Sequence, residues 1–426
     1  MVEAAIQTGR GGERPKETAG ALDFGRRIPE LDGIRGVAVS LVVVYHYFIV
    51  QMSAPFHSLG ACALAAGRLT WSGVDLFFVL SGFLIGGILI DARESSNYFR
   101  VFYRRRFFRI IPIYFLVLVI SKVVMILIRS DLAPRLVFLS VNALPLKPFV
   151  LFLQNFWMAY TVSWGAVLLA VTWSLAVEEQ FYLTLPLVVR HARGFRLIAI
   201  LILGILVAPV LRWTFHALRP NDFLAWYTIM PCRADALLLG VLVAAGMRDA
   251  GFREWVKARY MLANICLCVL FVGVLVLTKY GADFFDGRNT WVITFGFTWL
   301  AAFYAVSVLY ALNWRDSVLS RFLRQRWLAW LGSIAYGVYL LHFPVLYAAY
   351  GLIWSRRPEI QSVSNFGVTV LAAVATLGLC WVSWSFFEKP LVKIGHRENY
   401  RFGVRPATLS VSAVGVSGSL GENGLV

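Results

Sequence analysis

Long runs of apolar residues alternate with short polar segments along most of this 426-residue chain. A helix needs about 20 apolar residues to cross the roughly 30 Å hydrocarbon core of a membrane. Ten runs reach that length, at residues 34–52, 72–91, 108–128, 168–189, 195–213, 224–246, 260–278, 291–311, 328–353 and 365–387. The pattern predicts an all-α polytopic membrane protein with about ten transmembrane helices.

The stretch 135–165 is also apolar, but prolines interrupt it. Pro145 and Pro148 lie inside the stretch, and Pro134 directly precedes it. Proline lacks a backbone donor and breaks the interior of a helix. We interpret this stretch as a re-entrant or interfacial hairpin, because an eleventh crossing here would invert every later span.

Composition and charge support a membrane protein and indicate its orientation. The chain is 59% hydrophobic and 15% charged, which excludes an ordinary soluble enzyme. A net charge of +17 would suggest a nucleic-acid partner in a soluble protein. In a membrane protein, basic residues instead hold loops at the cytoplasmic face. With the N-terminus inside, and with basic residues at the span ends counted in the adjoining segments, the inner segments hold 28 Lys and Arg residues and the outer segments hold 10. We therefore expect both termini in the cytoplasm, contact with membrane lipids and no nucleic-acid partner.

Three regions follow from the spans. We predict a polar cytoplasmic segment at 1–30, a transmembrane domain at 31–392, and a short basic, then Gly/Ser-rich cytoplasmic tail at 393–426. The first segment has no apolar core typical of a cleavable signal peptide, so the first span is expected to stay as an anchor.

Ionisable residues inside the spans are functional candidates, because a charge at bilayer depth is costly unless it is paired. Arg35 and His46 lie eleven positions apart, which is three helical turns plus about 20°, so both face the same side of the first helix. His46 is expected about 16 Å deeper than Arg35. A neutral histidine can act as a general base or as the nucleophile that carries an acyl group.

Two adjacent carboxylates, Glu178 and Glu179, lie midway along the fourth span. Their side chains point about 100° apart on a helix, so at most one faces a given partner. We expect one of them to fix the tautomer of His46 by a hydrogen bond to its other ring nitrogen, while the second has a structural role.

A basic run at 100–109 opens the third span. Arg106 and Arg109 are three positions apart and are expected on one face of a helix N-terminus, where the helix dipole favours phosphate. A cytosolic phosphorylated donor such as an acyl-CoA would suit them. The same run also serves as a strong topology signal, which would explain it without any ligand.

Four more ionisable residues, Asp75, Arg233, Asp235 and His342, lie in three other spans. They are candidates for lining the site. Alternatively, Asp75, Arg233 and Asp235 form ion pairs inside the bundle, and His342 makes a hydrogen bond between helices. No metal is expected, because the histidines and acids show no ligand spacing typical of a metal site.

Seven motifs in this order resemble acyltransferase family 3, the membrane O-acetylases of bacterial surface glycans. They are PELDGIRGVAVSLVVVYH, WSGVDLFFVLSGFLIGGIL, RRRFFRIIPIYF, TWSLAVEEQFYLTLPL, RADALLLG, LGSIAYGVYLLHFPV and FFEKPL, which extend from about residue 29 to 392.

The resemblance implies a multi-pass enzyme of the bacterial inner membrane. It would move an acyl group, usually acetyl, from cytosolic acyl-CoA to a hydroxyl of a glycan or lipid-linked saccharide, with acyl-CoA as co-substrate and no bound cofactor. The family's Arg-x10-His element falls on Arg35 and His46, and its Arg-x-x-Arg element falls on Arg106 and Arg109. Its acidic element falls on Glu178 and Glu179.

One departure from the family concerns the end of the chain. Many relatives carry a C-terminal SGNH-type hydrolase domain, whereas this chain ends about 35 residues after FFEKPL. We expect it either to complete transfer itself or to hand the acyl group to a separate periplasmic partner. A homo-oligomer is also open.

Two other kinds of protein would show charges inside the membrane. A secondary transporter or flippase would contain them, but we find no matching halves that indicate an inverted repeat. A structural subunit of an envelope complex leaves the buried ionisable residues unexplained. For the enzyme, we predict a cavity through the bundle in which the thioester reaches His46.

Overall fold

The computed structural model describes residues 28–52, 67–280 and 289–402. Most of the predicted N-terminal segment 1–30 and of the tail 393–426 lies outside the described residues. Within the described ranges the secondary structure is helical, apart from one isolated bridge between Met52 and Ile360. The predicted all-α class is confirmed.

The described helices are numbered here in chain order. In the first half they are α1 (Pro29–Val44), α2 (Gly73–Ala92), α3 (Tyr98–Arg129), α4 (Leu146–Val150), α5 (Gln154–Thr161), α6 (Trp173–His191) and α7 (Gly194–Leu218). In the second half they are α8 (Phe223–Thr228), α9 (Met230–Gly246), α10 (Ala250–Lys257), α11 (Tyr260–Tyr280), α12 (Phe297–Asn313), α13 (Val318–Leu323), α14 (Arg326–Trp354), α15 (Val363–Ser383) and α16 (Lys389–Gly395). Short π-helical turns extend α1 through Tyr45–Ile49, precede α12 at Val292–Gly296, and join α15 to α16 at Trp384–Glu388.

Nine helical segments of the described chain are long and apolar enough to cross a membrane. They correspond to nine of the ten predicted spans. The remaining predicted span, 168–189, corresponds to α6, whose 19 residues extend about 28 Å. Its hydropathy is lowered by Glu178 and Glu179, so α6 is a crossing helix only if these carboxylates are turned away from lipid.

The proline-interrupted stretch folds as short elements. A 3-10 turn at Pro134–Ser140 leads into α4 and α5, and α5 has only eight residues. Eight residues of helix extend about 12 Å, far less than the hydrocarbon core. No helix of this segment is long enough to cross by itself, which agrees with its interpretation as a hairpin.

Glycine allows two central helices to approach closely. Gly82 of α2 lies against the backbone of Leu237, and Gly240 of α9 lies against the carbonyl of Val79. A Cβ at either glycine would collide with backbone atoms, which cannot move aside as a flexible side chain can. Small residues at such crossings provide the close packing that holds membrane helices together.

The crossing of α2 and α9 yields the first prediction. Gly240→Ala should lower the free energy of unfolding by about 1–3 kcal/mol, because the added methyl group overpacks a backbone contact. Thermal unfolding of the purified protein in detergent measures this change. Gly378→Ala is the matched control, since a Cβ at Gly378 of α15 meets no atom within 4 Å. Equal melting temperatures for the two variants would contradict the close crossing.

Candidate active site

His46 lies in the π-helical turn that extends α1, where one turn of the helix is wider than in an α-helix. Its Nδ1 is 3.1 Å from Nε2 of His342, and the two rings are stacked with centroids 5.0 Å apart. The rings of Phe343 and His46 pack edge to face, with their centroids 4.5 Å apart. The structure thus brings together two histidines that are 296 positions apart in the chain.

The hydrogen bonds of His342 determine which nitrogen of each ring carries a proton. Nδ1 of His342 is 2.7 Å from the carbonyl oxygen of Tyr339 and 3.1 Å from that of Val338. A carbonyl oxygen only accepts hydrogen bonds, so this Nδ1 is the protonated donor. In a neutral ring the His342 Nε2 is then an acceptor, and Nδ1 of His46 donates to it. The lone pair of His46 is consequently on Nε2. The hydrogen-bonded pair of His46 and His342, here called the histidine relay, therefore leaves Nε2 of His46 for a ligand.

The backbone of His342 is also held in place. Its ring is fully buried. The hydroxyl of Tyr47 donates to the His342 carbonyl oxygen at 2.7 Å and lies 2.8 Å from the hydroxyl of Thr376 on α15. The relay is therefore fixed where α1, α14 and α15 meet. Of the two alternatives for His342, the structure shows the hydrogen bond between helices, and the partner is the candidate base itself.

His46 lines a cavity of about 530 Å³, here called the histidine cavity. The hairpin after α3 supplies part of its wall, and many of its other lining side chains are aromatic. The aromatic lining residues are Tyr45, Trp71, Phe138, Trp164, Trp173, Phe223, Tyr227, Tyr339, Phe343 and Tyr347. Flat rings with polar edges provide surfaces suited to a ligand that is partly apolar and partly hydroxylated.

A second cavity, of about 300 Å³, contains the predicted arginines and is here called the arginine cavity. Its charged lining residues are Arg35, Arg105, Arg106, Arg109 and Glu178, and His396 and three tyrosines also line it. Four guanidinium groups and one carboxylate make it strongly electropositive, as a site for a polyanion requires. In the described parts of the chain, no cluster of three or more His, Cys, Asp or Glu side chains could hold a metal ion.

Contrary to the prediction from the sequence, Arg106 and Arg109 do not lie at a helix N-terminus. The helix begins at Tyr98, ten residues before the predicted span, so Arg106 lies more than two turns inside it. The helix dipole acts mainly within the first turn and therefore adds little here. The side chains of Arg106 and Arg109 share a cavity because they share a helix face, together with Arg35 from α1. Arg35 is also held by Asp32, at 2.6 Å.

The two adjacent glutamates face different surroundings, as their spacing predicted. Glu178 lines the arginine cavity and accepts a hydrogen bond of 3.0 Å from the hydroxyl of Tyr182. Glu179 is not part of the lining of either cavity, and its Oε1 is buried with no hydrogen-bond partner among the described residues. The expectation that His46 donates a hydrogen bond to a glutamate was wrong. His342 occupies that position, because Glu178 faces the arginine cavity whereas His46 lines the other one.

The predicted single cavity is two cavities that meet. Val74 and Tyr339 line both of them. The hydroxyl of Tyr339 is 2.5 Å from that of Ser174, and it donates to the carbonyl oxygen of Val171 at 2.9 Å. These hydrogen bonds hold the side chain of Tyr339 against the start of α6, at the boundary between the two cavities. Sequence reasoning missed it, because a tyrosine in an apolar span carries no charge signal.

The other charged candidates form ion pairs behind the cavities. Arg233 contacts Asp75 at 2.6 Å, and Asp235 contacts Arg212 of α7 at 2.9 Å, with all four side chains buried. The Arg233 guanidinium also lies 3.9 Å from the ring centroid of Phe297. None of the four lines either cavity. The alternative of ion pairs within the bundle therefore describes them, and site lining was wrong for Asp75, Arg233 and Asp235.

Arg212 was missed although its sequence position carries a signal. It lies next to the C-terminal end of the predicted span 195–213, where an arginine is usually an interfacial anchor. Instead it is fully buried and donates to the carbonyl oxygens of Cys232 and Thr294. The ion pair of Arg212 with Asp235 could have been predicted from an arginine near the end of one span and an acidic residue in another span that lacks an assigned partner.

Similar proteins include several O-acetyltransferases. A putative peptidoglycan O-acetyltransferase of Bacillus subtilis, YrhL, is 28% identical over 394 residues, covering 87% of this chain and 56% of that protein. The O-acetyltransferase OatA of Staphylococcus aureus is 24% identical over 388 residues, covering 87% and 58%. The peptidoglycan O-acetyltransferase OatA of Listeria monocytogenes is 24% identical over 385 residues, covering 86% and 56%. The chain thus spans just over half the length of these relatives.

No solved structure matches the chain significantly. The family model described as an acyltransferase domain matches residues 28–385, which include every helix from α1 to α15 and both cavities apart from His396. This match confirms the resemblance carried by the sequence motifs. The protein therefore belongs to acyltransferase family 3.

Proposed function

We propose that the protein transfers an acetyl group from acetyl-CoA in the arginine cavity to a glycan hydroxyl in the histidine cavity, with His46 as the base. The observation that carries this proposal is the histidine relay. It leaves the Nε2 lone pair of His46 for a ligand, in a cavity that adjoins an electropositive one at Tyr339.

The donor assignment rests on charge and reach. CoA carries several phosphate oxygens, which guanidinium groups bind in bidentate fashion. Its pantetheine arm is of similar length to the separation of Arg35 and His46, roughly 16 Å from the helical rise. With its phosphates among the arginines, the thioester extends towards Val74 and Tyr339, where the two cavities meet.

The acceptor assignment rests on the lining of the histidine cavity and on the relatives. Aromatic rings offer stacking surfaces for sugar rings, and the volume of about 530 Å³ accommodates more than one sugar. Two of the similar proteins are named as peptidoglycan O-acetyltransferases. We place the protein in the bacterial inner membrane, with the glycan of the cell envelope entering from the side opposite to the CoA.

The relay explains how His46 serves as the base. The acceptor hydroxyl gives its proton to Nε2 of His46, and its oxygen bonds to the thioester carbonyl carbon. The bond between that carbon and sulfur breaks, and His46 returns the proton to the CoA sulfur. During the step His46 is an imidazolium, whose Nδ1–H bond to His342 stabilises the charge and holds the ring in one orientation. Burial of His342 keeps water from competing for that bond.

The relay predicts unequal effects of its two histidines. His46→Ala should lower acetyl transfer by at least about 10²-fold, because the base is lost. His342→Ala should lower it by at least about tenfold, because Nδ1 of His46 loses its acceptor and the ring its orientation. The assay is transfer from radiolabelled acetyl-CoA to glycan by the purified protein in nanodiscs.

A third histidine serves as the control for both variants. His216→Ala removes a histidine of α7 that lines neither cavity, and it should leave transfer unchanged. Full activity of the His46 variant, in protein that melts at the normal temperature, would remove His46 from the reaction. Wild-type protein that moves glycan across a membrane but leaves acetyl-CoA intact would instead indicate a flippase.

The arginine cavity predicts a separation of donor and acceptor effects. Arg106→Ala and Arg109→Ala should each raise KM for acetyl-CoA about tenfold or more, with little change in KM for the glycan, because a charged hydrogen bond to phosphate is lost. Lysine at either position should restore part of the affinity, since it keeps the charge but loses the fork. Arg129→Ala, at the far end of α3, should change neither KM. An unchanged KM for acetyl-CoA in both cavity variants would leave these arginines only their role in topology.

A further inference from the structure

The chain after α16 folds back over the N-terminal turns of α3. Residues 395–402, here called the C-terminal strap, are held there mainly by backbone hydrogen bonds. Arg105 donates to the carbonyl oxygen of Glu398 at 3.0 Å, and the backbone N–H of Arg401 donates to the side chain of Asn97 at 2.9 Å. The Arg105 guanidinium also lies 5.0 Å from the ring centroid of Tyr400.

The arginines of the basic run 100–109 fall into two groups, those that lie near the C-terminal strap and those that line the arginine cavity. The Glu398 carboxylate lies 3.3 Å from Arg100 and 3.7 Å from Arg104, so it offsets the arginines on that face of α3. Arg106 and Arg109 line the arginine cavity instead, and Arg105 both lines it and binds the strap. The strap thereby brings one more titratable group, His396, into the cavity lining.

His396 has one hydrogen bond that determines its tautomer. Its Nδ1 is 2.8 Å from the carbonyl oxygen of Val392, so Nδ1 is the protonated donor. The neutral ring then carries its lone pair on Nε2. A phosphate oxygen is an acceptor and cannot hydrogen-bond to that lone pair. An anion at Nε2 therefore requires that His396 first takes up a proton.

We propose that His396 is a proton-coupled ligand for the phosphates of the donor, and that the C-terminal strap serves to place it at the arginine cavity. The chemical class is a polyphosphate, such as the diphosphate end of CoA. The assignment of CoA rests on the proposed function, whereas the polyphosphate class rests on the charges themselves.

The charges around His396 explain why the proton arrives with the ligand. Burial and the nearby Arg105, Arg106 and Arg109 lower the pKa of His396 below its usual value of 6.5, so the ring is neutral at pH 7 in the free protein. Arg35 and Glu178 line the same cavity, and Glu398 lies on the strap itself. A bound polyphosphate reverses the local field and raises the pKa of His396.

The sign of the pH dependence follows from this linkage. The pKa of His396 is higher in the complex than in the free protein, so binding takes up a proton at pH values between the two pKa values. Within that window the affinity falls by up to about tenfold for each unit of rising pH. Ionisation of the phosphate itself acts in the opposite direction, which is why the comparison must be made with a variant.

The test is calorimetric titration of CoA into the full-length protein in nanodiscs, in two buffers with different ionisation enthalpies. Wild-type protein should take up close to one proton near neutral pH. His396→Gln should lose this uptake and bind CoA about tenfold more weakly at acid pH, while the two affinities converge at alkaline pH. His191→Gln is the control, because this exposed histidine at the end of α6 lines neither cavity.

Two results would overturn the proposal, and the first of them leaves the proposed function intact. Equal proton uptake by wild-type protein and the His396 variant would remove His396 as a ligand. Pyrophosphate serves as a second probe. If wild-type protein binds pyrophosphate with proton uptake but does not bind CoA, the acyl-CoA donor is rejected and the role of His396 stands. If neither probe binds, both proposals fail.

Discussion

A charge at bilayer depth must either be paired or have access to a cavity, and this constraint organises the whole bundle. Arg233 and Asp75, and Arg212 and Asp235, satisfy it by pairing across helices with their side chains buried. Arg35, Arg106, Arg109, Glu178 and His46 line one of two cavities instead, whereas Oε1 of Glu179 is buried outside both cavities with no hydrogen-bond partner among the described residues. The helices α2 and α9, which carry Asp75, Arg233 and Asp235, also pack closely against each other at their glycine crossing.

In the proposed function, the same constraint separates donor from acceptor. Arg35, Arg105, Arg106 and Arg109 line one cavity, whereas the other has ten aromatic lining residues and one arginine, Arg357, and Tyr339 lines both. Under the proposed function, the two adjoining cavities bring two ligands to one place. Tyr339 takes part twice, since its hydroxyl binds the start of α6 and its carbonyl oxygen fixes the tautomer of His342. The boundary between the cavities, at Tyr339, and the tautomer of His342 therefore both depend on one turn of α14.

Sequence periodicity predicted nine of the ten spans as long apolar helices, because these depend only on neighbours along one helix. It also predicted that Glu178 and Glu179 face different surroundings, although the partner expected for one of them, His46, contacts His342 instead. It did not predict the partner of His46, since the pairing of α1 with α14 is a tertiary contact between residues 296 positions apart. The early start of α3 was missed for a different reason: its first turns are rich in arginine, which hydropathy excludes from a span.

If the proposed function is correct, CoA and glycan occupy different cavities and meet beside His46. A structure of the protein with a non-hydrolysable acyl-CoA analogue would show where each part of the donor binds. We expect the phosphates among Arg35, Arg106 and Arg109, with the acyl carbon at the boundary formed by Val74 and Tyr339 and within reach of Nε2 of His46. Phosphates bound in the histidine cavity, or an acyl group separated from His46 by an unbroken layer of packed side chains, would contradict the account.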